Sequence, residues 1–229
     1  MKKFLGIFCA VLALLSAILF SAPRTSAQQA QLVSAVLSRM ENNYTTLKTL
    51  RSNITMVKYN SQTRESDQYE GYLHYLPGKG RSGNVRLDWQ RPAQEVIAVK
   101  DGKYTYYRAR INTAYTGKTA VAAKKDGGAL NFLSMSGAQL RSAYNAQVVG
   151  NETIWGNIAT TKLYLTPKAK SGYKYAEVWV DGNGMPVQIK VTQNNDDSTA
   201  IRVYNVDRNS NFGDVFTLQL PANVKTVKG

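Results

Sequence analysis

His74 is the only histidine in the chain and Cys9 the only cysteine. Together they cannot fill a four-ligand structural zinc site. A nucleophile of the triad type would depend on His74 alone, and no Ser or Asp stands at triad spacing beside it. His74 therefore reads as a structural or surface histidine. Asp181-Gly182-Asn183-Gly184 resembles the start of a calcium loop, but position twelve of such a loop is Thr192 instead of Glu, so the run reads as a turn. Asn194 to Ser198 reads as a polar hairpin tip. No glycine-rich phosphate loop follows a strand and opens a helix. Nothing here calls for a cofactor or a metal, and the familiar hydrolase chemistries lack their residues. The expectation is that the protein is not an enzyme.

The remaining candidate chemistry is charge. The chain carries 29 Lys and Arg against 15 Asp and Glu, a net charge of +14. The basic residues are dispersed: Lys58, Arg64, Arg81, Arg86, Arg91, Lys100, Lys124, Lys125, Lys168, Lys170 and Lys174. Tyr104, Tyr106 and Tyr107 beside them could stack bases, as in single-strand binders. The N-terminus argues against nucleic acid as a partner. Met1-Lys2-Lys3, an apolar run from Phe4 to Phe20 and then Ser21 to Ala27 have the layout of an export signal, with cleavage expected after Ala27. Cys9 lies inside the apolar run with apolar sequence after it, so it does not read as a lipidation site. The mature chain of 202 residues (229 less 27) would have no cysteine and keep 26 basic residues, since Lys2, Lys3 and Arg24 are lost. That pattern suits a bacterial periplasm. The basic excess reads as a solvated surface, with anionic lipid head groups or an acidic partner as the alternatives.

Apolar residues make up 43% of the chain and charged ones 19%, enough to bury a core in one domain, expected over 28–229. Gln28 to about Leu47 reads as an amphipathic helix, with Val33, Val36, Leu37, Met40, Tyr44 and Leu47 at steps of three and four. From Leu50 the period changes to two. Strands are expected at 51–59, 68–76, 85–89, 95–100, 104–107, 111–115, 146–154, 159–166, 175–180, 187–192, 200–206 and 216–220. Asp101-Gly102 marks a hairpin turn. Between them, Ala129–Leu133 and Ala138–Tyr144 read as two short helices. The result is a mainly β chain of about ten to eleven firm strands, forming one curled, barrel-like antiparallel sheet with helices over one mouth or face.

The alternating strands build a broad apolar face: Ile54, Met56, Leu73, Val85, Leu87, Trp89, Val96, Ala98, Tyr104, Tyr106, Val178, Val180, Val187, Ile189 and Val191. One helix and two short ones are little to cover it. Two readings stay open, a filled core and an incompletely filled pocket for a greasy ligand.

The motifs, in order, resemble those of a known family. They are the export signal, the helix, Leu50-x-x-x-Ile54, Glu70-Gly71-Tyr72-Leu73 and Arg86-Leu87-Asp88-Trp89-Gln90-Arg91-Pro92. Then come Val99-Lys100-Asp101-Gly102-Lys103, Leu165-Thr166-Pro167-Lys168, Val180-Asp181-Gly182-Asn183-Gly184-Met185-Pro186 and Phe216-Thr217-Leu218-Gln219-Leu220-Pro221. Across the mature chain this is similar to the periplasmic outer-membrane lipoprotein carrier family, LolA. The resemblance implies an unclosed antiparallel half-barrel under a helical lid, with lipoprotein acyl chains held between them. It implies loading from an inner-membrane ABC-type release complex and delivery to an outer-membrane receptor or to the outer membrane itself, by a monomer. A lipid or glycolipid carrier, or a lipoprotein-sensing regulator, on the same half-barrel is the alternative. The expected lining is Val36 and Met40 of the helix, Leu130, Phe132 and Leu133 of the lid, and from the sheet Ile54, Met56, Leu73, Val85, Leu87, Trp89, Val96, Tyr104, Tyr106, Val178, Val180 and Ile189. The family also carries an Arg that bonds lid carbonyls and holds the empty form shut. Arg81 and Arg86 both qualify.

Overall fold

The computed structural model describes residues 26–78, 83–119 and 129–229. The export signal expected over 1–27 lies outside them except for Ser26 and Ala27, and the cut expected after Ala27 falls in the first turn of the first helix. The first element is a 21-residue helix, α1 (Ser26–Thr46), which buries Val36, Leu37, Met40 and Asn43. These positions recur at three- and four-residue steps, so one stripe faces the sheet.

Twelve strands follow among the described residues: β1 (Leu50–Tyr59), β2 (Ser66–Leu76), β3 (Asn84–Arg91), β4 (Glu95–Lys100), β5 (Lys103–Arg108), β6 (Thr113–Lys118), β7 (Tyr144–Ile154), β8 (Ile158–Pro167), β9 (Tyr173–Asp181), β10 (Pro186–Gln193), β11 (Ser198–Arg208) and β12 (Lys225–Lys228). They form one sheet in the order β12-β6-β5-β4-β3-β2-β1-β11-β10-β9-β8-β7. All pairs are antiparallel except β12 on β6. The two edges, β12 and β7, are not paired with each other, so the barrel is open. Most neighbours are successive in the chain. The exceptions are β12 beside β6 at one edge and β1 beside β11, which brings the two ends of the chain together at the middle of the sheet.

Alternation sets the two faces. Along β10, Val187, Ile189 and Val191 are buried while Gln188 and Lys190 face out. Ile189 pairs with Ile201 of β11 and Val178 of β9. Across the centre, Ile54 pairs with Val203 and Gly71. The inner faces of β1 and β8–β11 are thus an unbroken aliphatic surface.

The insert between β6 and β7 contributes a 3₁₀ helix (Ala129–Ser134) and a short helix, α2 (Gly137–Ala143). Ser136 and Gln139 form a reciprocal capping box at its start. The expected strand at 216–220 is absent. That stretch is part of a non-regular strap, about residues 209–224, that crosses the outer face before entering β12. Phe212 lies edge-on to His74 at 5.3 Å and to Phe216 at 6.0 Å. Lys100 Nζ donates to Asp214 at 2.6 Å and to Thr217 Oγ1 at 2.8 Å. The strap's groups are spent on side-chain contacts with the sheet instead of a ladder.

The Asp181–Met185 turn confirms its reading as a turn and has a further job. Asp181 Oδ1 accepts from the backbone N–H groups of Asn183 (2.9 Å) and Met185 (2.8 Å). Gly184 has φ +84°, and a Cβ there would sit 2.2 Å from the Arg39 carbonyl oxygen. The turn therefore seats directly on the backbone of α1. Gly184→Ala should lower the unfolding free energy by at least about 2 kcal/mol, through strain plus displacement of α1. Gly182→Ala, where a Cβ meets nothing within 4 Å, should change it by less than about 0.5 kcal/mol. Urea denaturation of the two variants against the parent measures the difference.

Candidate functional site

The candidate site is the concave face of the sheet and its helical cover. Val36, Met40, Ile54, Met56, Leu73, Leu87, Trp89, Phe132, Val178, Val180 and Ile189 all fall in one continuous buried cluster, and Val85, Leu130 and Leu133 pack against it half-buried. The expectation of an apolar inner face with helices laid on it is met for these residues. The expectation of open greasy space is not met at its centre. Ile54, Val178, Val180 and Ile189 each have 0% of their surface exposed, so in this form α1 and the lid fill the aliphatic half.

Two expected residues face the other way. Val96 pairs with Asp88 of β3 and Tyr107 of β5. Directly paired residues share a face and successive ones alternate, so Val96 lies on the outer surface, opposite Leu87 and Trp89. Arg86 is also on the outer surface. Its Nε and Nη2 grip the Asp88 carboxylate at 2.8–3.0 Å and its Nη1 donates to the Val215 carbonyl at 2.8 Å. It holds the strap, and the sheet lies between it and the lid. Arg81 lies outside the described residues.

The lid has a different fastening. The Glu41 carboxylate of α1 accepts from the backbone N–H of Ala138, in the first turn of α2, at 2.9 Å. Beside it, a Cβ on Gly137 would stand 1.9 Å from the Leu37 carbonyl oxygen, so the two helices touch backbone to backbone. The 3₁₀ helix is held by packing. Phe132 sits 5.5 Å from the ring of Tyr144 and 6.3 Å from that of Tyr173. The Tyr144 and Tyr173 hydroxyls share a hydrogen bond of 2.6 Å. Burial, and then that bond, push the Tyr173 phenol above its ordinary range. Sequence reasoning missed Glu41, Gly137, Tyr144 and Tyr173. A Glu within a helix and a Gly at the start of another carry no sign of what they meet in a helix far along the chain.

The other half of the concave face is different in kind. Tyr104 and Tyr106 are inward, as expected, and pair with Val99 and Ile97. Beside them Glu95 pairs with both Trp89 and Arg108. Glu95 accepts from Tyr106 Oη at 2.5 Å and from Arg108 Nε at 3.0 Å. Burial and the Glu95 bond raise the Tyr106 phenol, so the proton stays on the tyrosine. Among the described residues no three His, Cys, Asp or Glu side chains converge as metal ligands.

A family model described as outer membrane lipoprotein carrier protein LolA matches residues 46–219. The chain belongs to the LolA family. The match takes in β1 to β11, the lid and most of the strap; β12 follows it, and all of α1 but its last residue precedes it. An uncharacterized conserved protein from Thermus thermophilus has a similar fold, with 11% identity, a TM-score of 0.56, and 86% of this chain and 98% of that one covered. MucB is similar at 14% identity and a TM-score of 0.55, with 85% of this chain covering 65% of MucB. No curated protein matches in sequence. The family is described as one of lipoprotein carriers and is generally without catalytic activity.

Two predictions concern the fastenings. Glu41→Ala should loosen α2 by about 1 kcal/mol, read as roughly 5-fold faster amide exchange at 138–140 with β8–β10 unchanged. His74 has its pKa lowered, first by burial beneath the strap, with Asp88 opposing and Arg86 and Arg51 adding to it. The unfolded chain therefore binds the proton more readily than the folded one. The stabilisation is complete above the ordinary histidine value near 6.5 and is lost as pH falls through the lower folded value. The urea midpoint should decline between pH 7.5 and 5, and His74→Gln should flatten that decline.

Proposed function

We propose that this LolA-family protein is a periplasmic carrier that shelters the acyl chains of lipoproteins on their way from the inner to the outer membrane. In this reading it is exported with cleavage after Ala27. It works as a monomer, receives cargo from an inner-membrane ABC-type release complex and yields it to an outer-membrane receptor or to the membrane itself. The observation that carries the reading is the nature of the cover. The aliphatic half of a twelve-stranded sheet is closed by α1, a 3₁₀ helix and α2 instead of by a second sheet. Few large apolar lid side chains need to leave to expose Val178, Val180 and Ile189.

The physics is an exchange of equivalents. An acyl chain moving through water costs about 0.8 kcal/mol per methylene, a prohibitive sum for a triacylated protein. A protein face as apolar as the bilayer removes that cost without any bond being made or broken. Opening the lid exposes the face, and the chains then take the place of Phe132 and its neighbours Leu130 and Leu133 in the 3₁₀ helix. Release needs only a receiver that binds the chains more strongly. The reading assigns no catalytic residue. A free-lipid or glycolipid carrier would use the same face.

Gentle extraction of the periplasm followed by native mass spectrometry tests the reading. A triacylated peptide bound to the chain is the expected result, whereas free lipid alone would turn the reading to its alternative. A second test uses Phe132→Ala. Removing the ring from its Tyr144–Tyr173 seat should raise the affinity for the apolar probe N-phenylnaphthylamine several-fold while lowering the melting temperature. Unaltered probe binding would mean that Phe132 does not occupy the acyl position.

A further inference from the structure

A wall that meets only acyl chains gains nothing from an ion pair, because partial burial of two charges costs desolvation that their attraction rarely exceeds. Yet Glu95 and Arg108 stand on the inner face, on the row that begins at Trp89. Glu95 is largely covered, with 17% of its side chain exposed, and Arg108 keeps 38% open. Around them the wall is aromatic. Tyr69 meets Trp89 edge-on at 5.6 Å, and Tyr106 lies over Tyr115 at 6.0 Å. The concave face is therefore divided between a sealed aliphatic half on β1 and β8–β11 and a half-open aromatic and polar half on β3–β6.

The cluster is matched within itself. One carboxylate and one guanidinium sum to zero, and Glu95 holds both Tyr106 and Arg108 in fixed positions. An acidic head group brought here would meet Glu95, and a cationic one would meet Arg108. A neutral group bearing hydroxyls and carbonyls meets neither penalty. It finds a charged acceptor, a charged donor and flat rings against which a carbon skeleton can lie.

We propose that Glu95, Tyr106 and Arg108 bind the neutral, hydroxyl- and carbonyl-bearing junction of the acyl ligand while its chains enter the aliphatic half. The inference rests on the carrier reading and adds to it where the polar end lies and what chemistry it has. That chemistry has two sources, the glyceryl ester junction of a lipoprotein and the sugar of a glycolipid.

The test is displacement of N-phenylnaphthylamine from the mature chain by amphiphiles of one chain length: monolauroylglycerol, dodecyl glucoside and, as the acidic control, laurate at pH 8. The parent should bind at least one neutral amphiphile about 5-fold more tightly than laurate, the worth of one to two hydrogen bonds. Glu95→Gln and Arg108→Met should each bring that ratio to within about 2-fold without weakening laurate. Preference for the glyceryl head indicates the lipoprotein-type junction, and preference for glucoside the sugar; either supports the assignment. Equal affinities in the parent, or a preference that survives both variants, would overturn it. If Glu95→Gln melts below the assay temperature, Tyr106→Phe removes a single hydroxyl and must lower the same ratio. Failure of all three amphiphiles to displace the probe would instead remove the carrier reading, and this inference with it.

Discussion

The contact on which the rest depends is that of α1 and the lid with the aliphatic half of the sheet. A sheet open between β7 and β12 cannot close on its own apolar side chains, so something must cover Val178, Val180, Ile189, Ile201 and Val203. Burying each such side chain is worth about 1.5–3 kcal/mol. The displaceable 3₁₀ segment supplies few large groups toward that sum, chiefly Phe132 with the half-buried Leu130 and Leu133, or about 3–6 kcal/mol. One saturated chain of about 14 methylenes is worth roughly 11 kcal/mol on the same scale. The cover is thus strong enough to seal the face when no chain is present and weak enough for one chain to replace it.

The two sides of the sheet have separate duties. The outer side near β2–β6 is bound down by the strap, through Phe212 on His74, Arg86 on Val215 and Lys100 on Asp214. Ala98 and Ala114, both outward, are buried as completely as core residues. With that side fixed, movement is left to the inner side. The resemblance implied an arginine latch on the lid, but Arg86 grips the strap instead. Period two decides this. Arg86 alternates with Leu87, and Leu87 faces the core.

Most of the fold was legible because alternation and turn chemistry are local. The strands from β1 to β11 lie within a few residues of where the pattern puts them. The strand expected at 216–220 failed although Phe216 and Leu218 alternate as a strand would, because the strap is held by side-chain contacts, Phe212 on His74 and Lys100 on Asp214 and Thr217, and not by a ladder. The error at Val96 was avoidable. Asp101-Gly102 sets Lys100 opposite Lys103, so Val96 must pair with Tyr107 and share its face. Tyr104 and Tyr106 lie on the other face. The same count puts Glu95 opposite Arg108, which would have revealed the polar cluster. The Glu41–Ala138 bond and the approach of Gly137 to Leu37 had no such signal, since nothing local fixes how two helices so far apart in the chain will cross.

The lid's two pieces are fixed by different means, and this bears on how the face could be uncovered. α2 is joined to α1 through a charged hydrogen bond at its N-terminus and a backbone contact that only glycine allows. Its far end is tied to the sheet by Lys168, which donates to the Arg141 carbonyl through Nζ and to the Ala143 carbonyl through its backbone N–H. The 3₁₀ helix depends on Phe132 resting between Tyr144 and Tyr173. Directional bonds would have to be broken with nothing to replace them, whereas an apolar contact can be exchanged for another apolar contact at little net cost. An acyl chain offers the second kind of contact and not the first. The 3₁₀ segment is therefore the part of the cover that such a ligand can displace, with α1 and α2 remaining as the fixed rim of the opening.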